Sequence, residues 1–241
     1  MNMASNERTS QSQKTIRVDH CETYALIKLN QKAQRYSQML DELSQVLAEL
    51  REDKAARVVI LTGTDKVFST GADVAELAGL TAEQAKHFAS TSHKVVSQII
   101  NLGRPVIAAV NGLAAGDGCE LALACAWRIA SPQAQFAFSE TSRGLIPGFG
   151  AVTLLTELIG KARALEVILT GNTINAEEAL RIGLINRVVD DPSKLVEVCE
   201  ELARQISHNA PLAIQYALEA VNHGSEVSLS DGLRFESALF G

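Results

Sequence analysis

Cysteine is scarce and scattered in this 241-residue sequence: Cys21, Cys119, Cys125 and Cys199 include no CxxC pair. That spacing excludes a disulfide framework and a zinc site of the usual kind, and it points to a reducing, cytoplasmic compartment. No apolar run reaches the roughly 20 residues that a membrane-spanning helix needs, and the opening MNMASNERTSQSQK has no apolar signal core. Basic residues are also in the minority. With 22 Lys+Arg against 28 Asp+Glu, the chain has no composition for a nucleic-acid-binding face. His87, His93, His208 and His223 are dispersed over helix-patterned stretches, and no Ser-His-Asp arrangement surrounds them.

What is present is a chain 46% hydrophobic, enough to bury a sizeable core. Residues 1–14 read as a disordered polar leader. Thr15–His20 and Thr23–Asn30 read as short strands, and Met39–Leu50 carries apolar residues at helical spacing. Arg57–Leu61 then brings the uninterrupted run VVIL. An apolar strand after a helix predicts an α/β fold with a parallel sheet covered on both faces. VFSTGAD, residues 67–73, reads as a turn before a helix over Thr81–Ile100. The pattern repeats: strand Pro105–Val110, a Gly/Ala/Asp turn at Ala114–Gly118, and an apolar helix over Cys119–Ala126. Strands Trp127–Ala130 and Phe136–Ser139, a Gly-rich turn at Gly144–Gly150 and another helix follow. The region beyond Gly160 reads as mostly helical: Ala162–Thr170, Ala176–Arg181, Ser193–Ser207 and Pro211–His223, interrupted by a strand over Leu184–Val189.

Two carboxylates stand out. Glu120 is the only charge in its apolar segment, and burying it without a partner is costly. Glu140 sits between the aromatic strand and the Gly-rich turn. Two carboxylates beside amides freed by glycines are parts from which acid/base and oxyanion chemistry can be built. Each also has a structural reading. Asp117-Gly-Cys-Glu120 fits an N-terminal capping box, with Glu120 reaching back from the third helical position. Glu140 fits a solvated turn residue, or a partner for Arg143.

Four ordered blocks (VFSTGAD, RPVIAAVNGLAAGDGCELALAC, SETSRGLIPGFG and LTGNTINAEEALRIGLINRVV) resemble the enoyl-CoA hydratase/isomerase, or crotonase, family. The resemblance runs from about Thr15 onward. It implies a spiral of repeated ββα units over 15–190 and a mostly helical region over 191–241 used for a homotrimer or a dimer of trimers. It further implies an acyl-CoA thioester substrate, with CoA carried as part of the substrate and no separate cofactor or metal. Its motif positions place the oxyanion-hole amides at Ala72 and Asp117, the acid/base pair at Glu120 and Glu140, and substrate contacts at Thr70, Gly71, Asp73 and Gly116.

Against that pattern Asp117 stands where glycine is usual, so its carboxylate has to point away from the developing oxyanion. The segment 29–39 is shorter than the corresponding CoA-contacting loop, and the sequence stops at Gly241 where the family pattern runs on through further helix. Hydration of a 2-enoyl thioester accounts for both glutamates. Double-bond isomerisation, another thioester reaction of the same type and non-catalytic acyl-CoA binding are the alternatives that the residues leave open.

Overall fold

A computed structural model describes residues 15–30 and 36–241. The expected leader and part of the shortened loop lie outside the described residues. The described residues open with an antiparallel hairpin, β1 (Ile16–His20) and β2 (Tyr24–Leu29). Helix α1 (Tyr36–Glu52) follows and buries Met39, Leu40, Leu43, Leu47 and Leu50, the stripe that its three- and four-residue spacing dictates.

Three strand pairs then build two sheets at once. They are β3 (Val58–Thr62) with β4 (Val67–Ser69), β5 (Val106–Val110) with β6 (Leu113–Ala115), and β7 (Trp127–Ala130) with β8 (Gln135–Ala137). The first strand of each pair joins a six-stranded sheet and the second a four-stranded sheet. Within each sheet these strands run parallel, so crossover connections must join them. The crossover helices are α2 (Val74–Ala78), α3 (Ala82–Ile100) and α4 (Asp117–Ala124). Thr81 caps α3 in a reciprocal box with Gln84. This is the expected ββα spiral.

The chain continues through α5 (Ala151–Ile159), α6 (Lys161–Thr170), β9 (Ile174–Asn175), α7 (Ala176–Arg181) and β10 (Arg187–Val188). The two strands close opposite sheets, β9 beside β8 and β10 beside β7. Helices α8 (Leu195–Ser207), α9 (Pro211–Glu226) and α10 (Leu229–Phe240) end it.

Every residue of β3 and β5 is buried, so both faces of the large sheet are covered. Val59, Leu61, Ala108 and Val110 face the main core, while Val58, Ile60, Ile107 and Ala109 face Leu195, Cys199 and Ala203 of α8. No helix among the described residues is long and apolar enough to cross a membrane.

Several expectations need correction. VFSTGAD is not all turn: its first three residues form β4, and α2 starts directly after Asp73. The strand over Leu184–Val189 shrinks to two residues, because Leu184 and Ile185 instead bond back to Ala179 of α7. Helix α4 starts at Asp117, and α10 is a helix the periodicity did not predict.

Candidate active site

The C-terminal ends of β4, β6 and β8 converge on one cavity of about 230 Å³. Its lining includes Thr70, Ala72, Gly116, Asp117, Ser139 and Glu140, with Leu77, Leu113 and Leu145 as apolar wall and Arg143 at the rim.

Two glycines permit the approach. Gly71 takes φ +71, and a Cβ on it would come within 2.8 Å of the Asp117 nitrogen. Gly116 combines φ 50 with ψ −128, a region open essentially to glycine, and a Cβ there would meet Glu140 Oε1 at 2.8 Å. The Ala72 loop, the start of α4 and the end of β8 are thereby pressed together.

The first turn of α4 has Gly116 as its N-cap and no side-chain cap, so the capping box that the spacing also fits is absent. Glu120 points elsewhere. Its Oε2 accepts the Phe149 N–H at 2.6 Å and the Ala151 N–H at 2.8 Å, while Oε1 is buried without a partner. The Gly-rich turn before α5 therefore supplies amides that hold Glu120. Burial pushes the Glu120 carboxyl up to about 8 against the opposing pull of those amides, with the charges of Asp117 and Glu140 adding to the rise.

Glu140 is half-buried, and its Oε2 also lacks a partner. Burial raises its proton affinity, and the positive charge of Arg143 works against that rise. It is thus neither a solvated turn residue nor a neutralised ion-pair partner.

Asp117 departs most from expectation. Its carboxylate does not point away: Oδ2 accepts the Ala72 N–H at 2.9 Å, and the side chain is buried. The physical reason is local. The positive end of α4 favours a carboxylate in its first turn, and the Ala72 N–H beside it donates to that carboxylate. Burial lifts this carboxyl to about 6, the Ala72 bond opposes that, and the charge of Glu140 adds to it. One oxygen from each of Asp117, Glu120 and Glu140 lies within 4.8 Å of the others. Three carboxyls so close cannot all be ionised cheaply.

Of the expected substrate contacts, Thr70 and Gly116 line the cavity. Gly71 is buried against the Asp117 amide, and Asp73 is exposed, with its carbonyl opening α2.

Two residues escaped the sequence reading. Tyr36, at the start of α1, is buried with an unpartnered hydroxyl; burial and the charges of Asp117 and Glu120 hold its proton on, and its ring lies 5.9 Å from that of Phe149. Arg128 of β7 is buried and donates to the carbonyls of Leu184, Ala122, Leu123 and Cys125, closing the C-terminal end of α4. Arginine beside a strand carried no periodic signal that could have marked this role.

The family model described as enoyl-CoA hydratase/isomerase matches residues 21–241. The short-chain-enoyl-CoA hydratase of Clostridium acetobutylicum is 41% identical over 206 residues, which span 85% of this chain and 78% of that protein. The crotonyl-CoA hydratase of Syntrophomonas wolfei is 38% identical over 201 residues, 83% of this chain and 77% of its own. Among solved structures, the enoyl-CoA hydratase of Bacillus anthracis superposes with a TM-score of 0.89 at 39% identity, covering 94% of this chain and 90% of that one. Sequence and fold agree with these relatives, and the chain belongs to the enoyl-CoA hydratase/isomerase, or crotonase, family of enzymes.

Proposed function

We propose that this protein adds water across the double bond of a short 2-enoyl-CoA thioester, giving the 3-hydroxyacyl thioester. The observation that carries the proposal is Glu120: a buried carboxyl fixed by two amides through one oxygen, its other oxygen unpartnered, with Glu140 beside it. Hydration needs one group to take a proton from water and another to give one to the α-carbon. One proton shared by two adjacent carboxyls provides both.

Before substrate binds, the more deeply buried Glu120 holds that proton. An acyl chain filling the cavity removes the water that still solvates half-buried Glu140 and raises its proton affinity. The proton then shifts to Glu140. Glu120, its charge supported by the Phe149 and Ala151 amides, orients and deprotonates water, and Glu140 protonates the α-carbon. The pair titrates as a unit. The amides of Ala72 and Asp117 are assigned to the thioester oxygen, which gains charge as water adds; losing one such donor typically costs about 3 kcal/mol of barrier.

The cavity of about 230 Å³ lies below the roughly 300–1,000 Å³ of a drug-sized pocket, which suits a short acyl end with CoA outside it. The names of the Clostridium and Syntrophomonas relatives support a short chain. Loss of the conjugated ultraviolet band of crotonyl-CoA tests the reading. A 3-enoyl substrate converted to the 2-enoyl isomer, with crotonyl-CoA left untouched, would overturn hydration in favour of isomerisation.

We further propose a homotrimer or a dimer of trimers. Helices α9 and α10 bury no residue and expose Leu212, Val221, Leu229, Leu233 and Phe240. Not every apolar position of the C-terminal region is available for assembly, because Leu195, Val198 and Leu202 pack onto the large sheet. Light scattering that returns the mass of a single chain at micromolar concentration refutes the assembly. The four free thiols fit the cytoplasmic compartment that we assign.

A further inference from the structure

One of the two amides assigned to the thioester oxygen already has an acceptor, and that acceptor belongs to the residue whose own amide is the second. Ala72 donates its N–H to Asp117 Oδ2 at 2.9 Å. A Cβ on Gly71, the residue before Ala72, would come within 2.8 Å of the Asp117 nitrogen, so the carboxylate sits where the two backbone segments meet. The group that Ala72 holds is an oxygen carrying negative charge, the same chemical form that the thioester oxygen approaches as water adds. It is only 9% exposed, so water competes poorly for that donor.

We propose that the Asp117 side chain is an internal occupant of the oxyanion hole, and that a thioester carbonyl binds only by displacing it. The proposal rests on the hydratase reading of the site. It makes Asp117 a specificity-determining residue through its side chain, in addition to any role of its amide. Hydrogen bonds to a charged acceptor are about twice as strong as those to a neutral one, so an uncharged thioester carbonyl is the weaker competitor. A ligand without a carbonyl at that position has nothing to offer the two amides and leaves Asp117 in place. The displaced carboxylate stays in the same cavity, where Arg143 is the one cation among the described lining residues.

Displacement is complete once the substrate is bound, so its cost falls equally on the bound substrate and on the transition state. Such a cost raises KM and leaves kcat alone. This differs from a catalytic carboxylate, whose removal lowers kcat.

The experiment uses Asp117→Ala, and Asp117→Asn as a near-isosteric second variant that keeps a neutral acceptor for Ala72. Three quantities are read: kcat and KM for crotonyl-CoA, calorimetric binding of butyryl-CoA, and binding of S-butyl-CoA, the thioether that lacks the carbonyl. The expected result for Asp117→Ala is at least about a tenfold fall in KM and in the butyryl-CoA Kd, the scale of one charged hydrogen bond. Its S-butyl-CoA Kd should stay near that of the parent, and the butyryl-CoA Kd of Asp117→Asn should fall between.

A butyryl-CoA Kd unchanged in both variants overturns the proposal, because the hole was then never blocked. A loss of kcat beyond tenfold with KM unchanged also overturns it, since the carboxylate then takes part in the chemistry. Butyryl-CoA binding requires no turnover. If the parent protein fails to hydrate crotonyl-CoA, the hydratase reading falls while the binding comparison still decides the role of Asp117.

Discussion

Replacing Glu120 by Gln separates what this side chain does for chemistry from what it costs the fold. The glutamine carbonyl can keep both bonds from Phe149 and Ala151, so the turn before α5 stays anchored. Its amide group then stands where the unpartnered Oε1 stood and cannot take a proton from water. Hydration should fall at least about a hundredfold, the usual scale for one acid/base group.

Stability should move the other way above neutral pH. In the unfolded chain this carboxyl titrates near 4.5, and burial lifts it to about 8 in the fold. Between those values the unfolded chain has lost a proton that the folded one keeps. Stability from this group is therefore full below about pH 4.5 and is lost as pH rises through about 8. At about 1.4 kcal/mol per pH unit, the full loss is roughly 5 kcal/mol. Part of it reflects repulsion from Asp117 and Glu140 that the variant relieves in their titration instead, so about half that figure is the working expectation.

Glu120→Gln should then melt roughly 5–10 °C above the parent at pH 9, and close to it at pH 4.5, given about 2–4 °C per kcal/mol for a chain of this size. Melting curves across that pH range, with crotonyl-CoA turnover on the same samples, make the test. A variant that melts below the parent at pH 9, and by more than at pH 4.5, would show a net charge-stabilised Glu120. The account of burial given above would then be wrong.

Three further outcomes follow from the same site. Glu140→Gln should lower hydration by a similar factor, and the double variant little further, because groups that share one proton act as a unit; additive losses in single-turnover rates would break the pair. Ala72→Pro removes one of the two donors to the thioester oxygen and should cut kcat by about 10²–10³ while circular dichroism stays native, and near-normal turnover would relocate the oxyanion hole. Tyr36→Phe deletes a buried, unpartnered hydroxyl and should raise the urea midpoint, with a gain of up to about 1–3 kcal/mol; a loss of that size would mean that the hydroxyl is hydrogen-bonded in solution.

The large elements were legible because burial leaves a periodic trace. The stripe Leu40, Leu43, Leu47, Leu50 marked α1, and the uninterrupted VVIL marked a strand covered on both faces. Glu120 and Glu140 were legible as charges out of place among apolar neighbours. What holds Glu120 was not, because the Phe149 and Ala151 amides are backbone groups and every residue but proline has one. The capping-box spacing, the structural alternative for Glu120, fails for a related reason: the helix takes Gly116, which has no side chain, as its N-cap. β4 and α2, at three and five residues, were too short to show a period. Tyr36 came into the site from another element, and no local pattern links it to Asp117 or Glu120. The direction of the Asp117 carboxylate was read wrongly because the unsatisfied amides around it, not the chemistry to come, decide where it rests in the free protein.

The placement of α8 bears on how the chain is made. The residues that surround the cavity all lie between Tyr36 and Ala151, and they emerge early in synthesis. The outer face of the large sheet, with Tyr24, Leu26, Val58, Ile60, Ile107, Ala109 and Ile129, is covered by Leu195, Cys199 and Ala203. Those three follow Ile129 by roughly seventy residues, several seconds at about 5–20 residues per second. For that interval the nascent protein presents a broad apolar sheet face with its catalytic half already translated. Its yield in a cell should therefore depend on what shields that face, and slowing translation between Ile129 and Leu195 should send more of the product into aggregates.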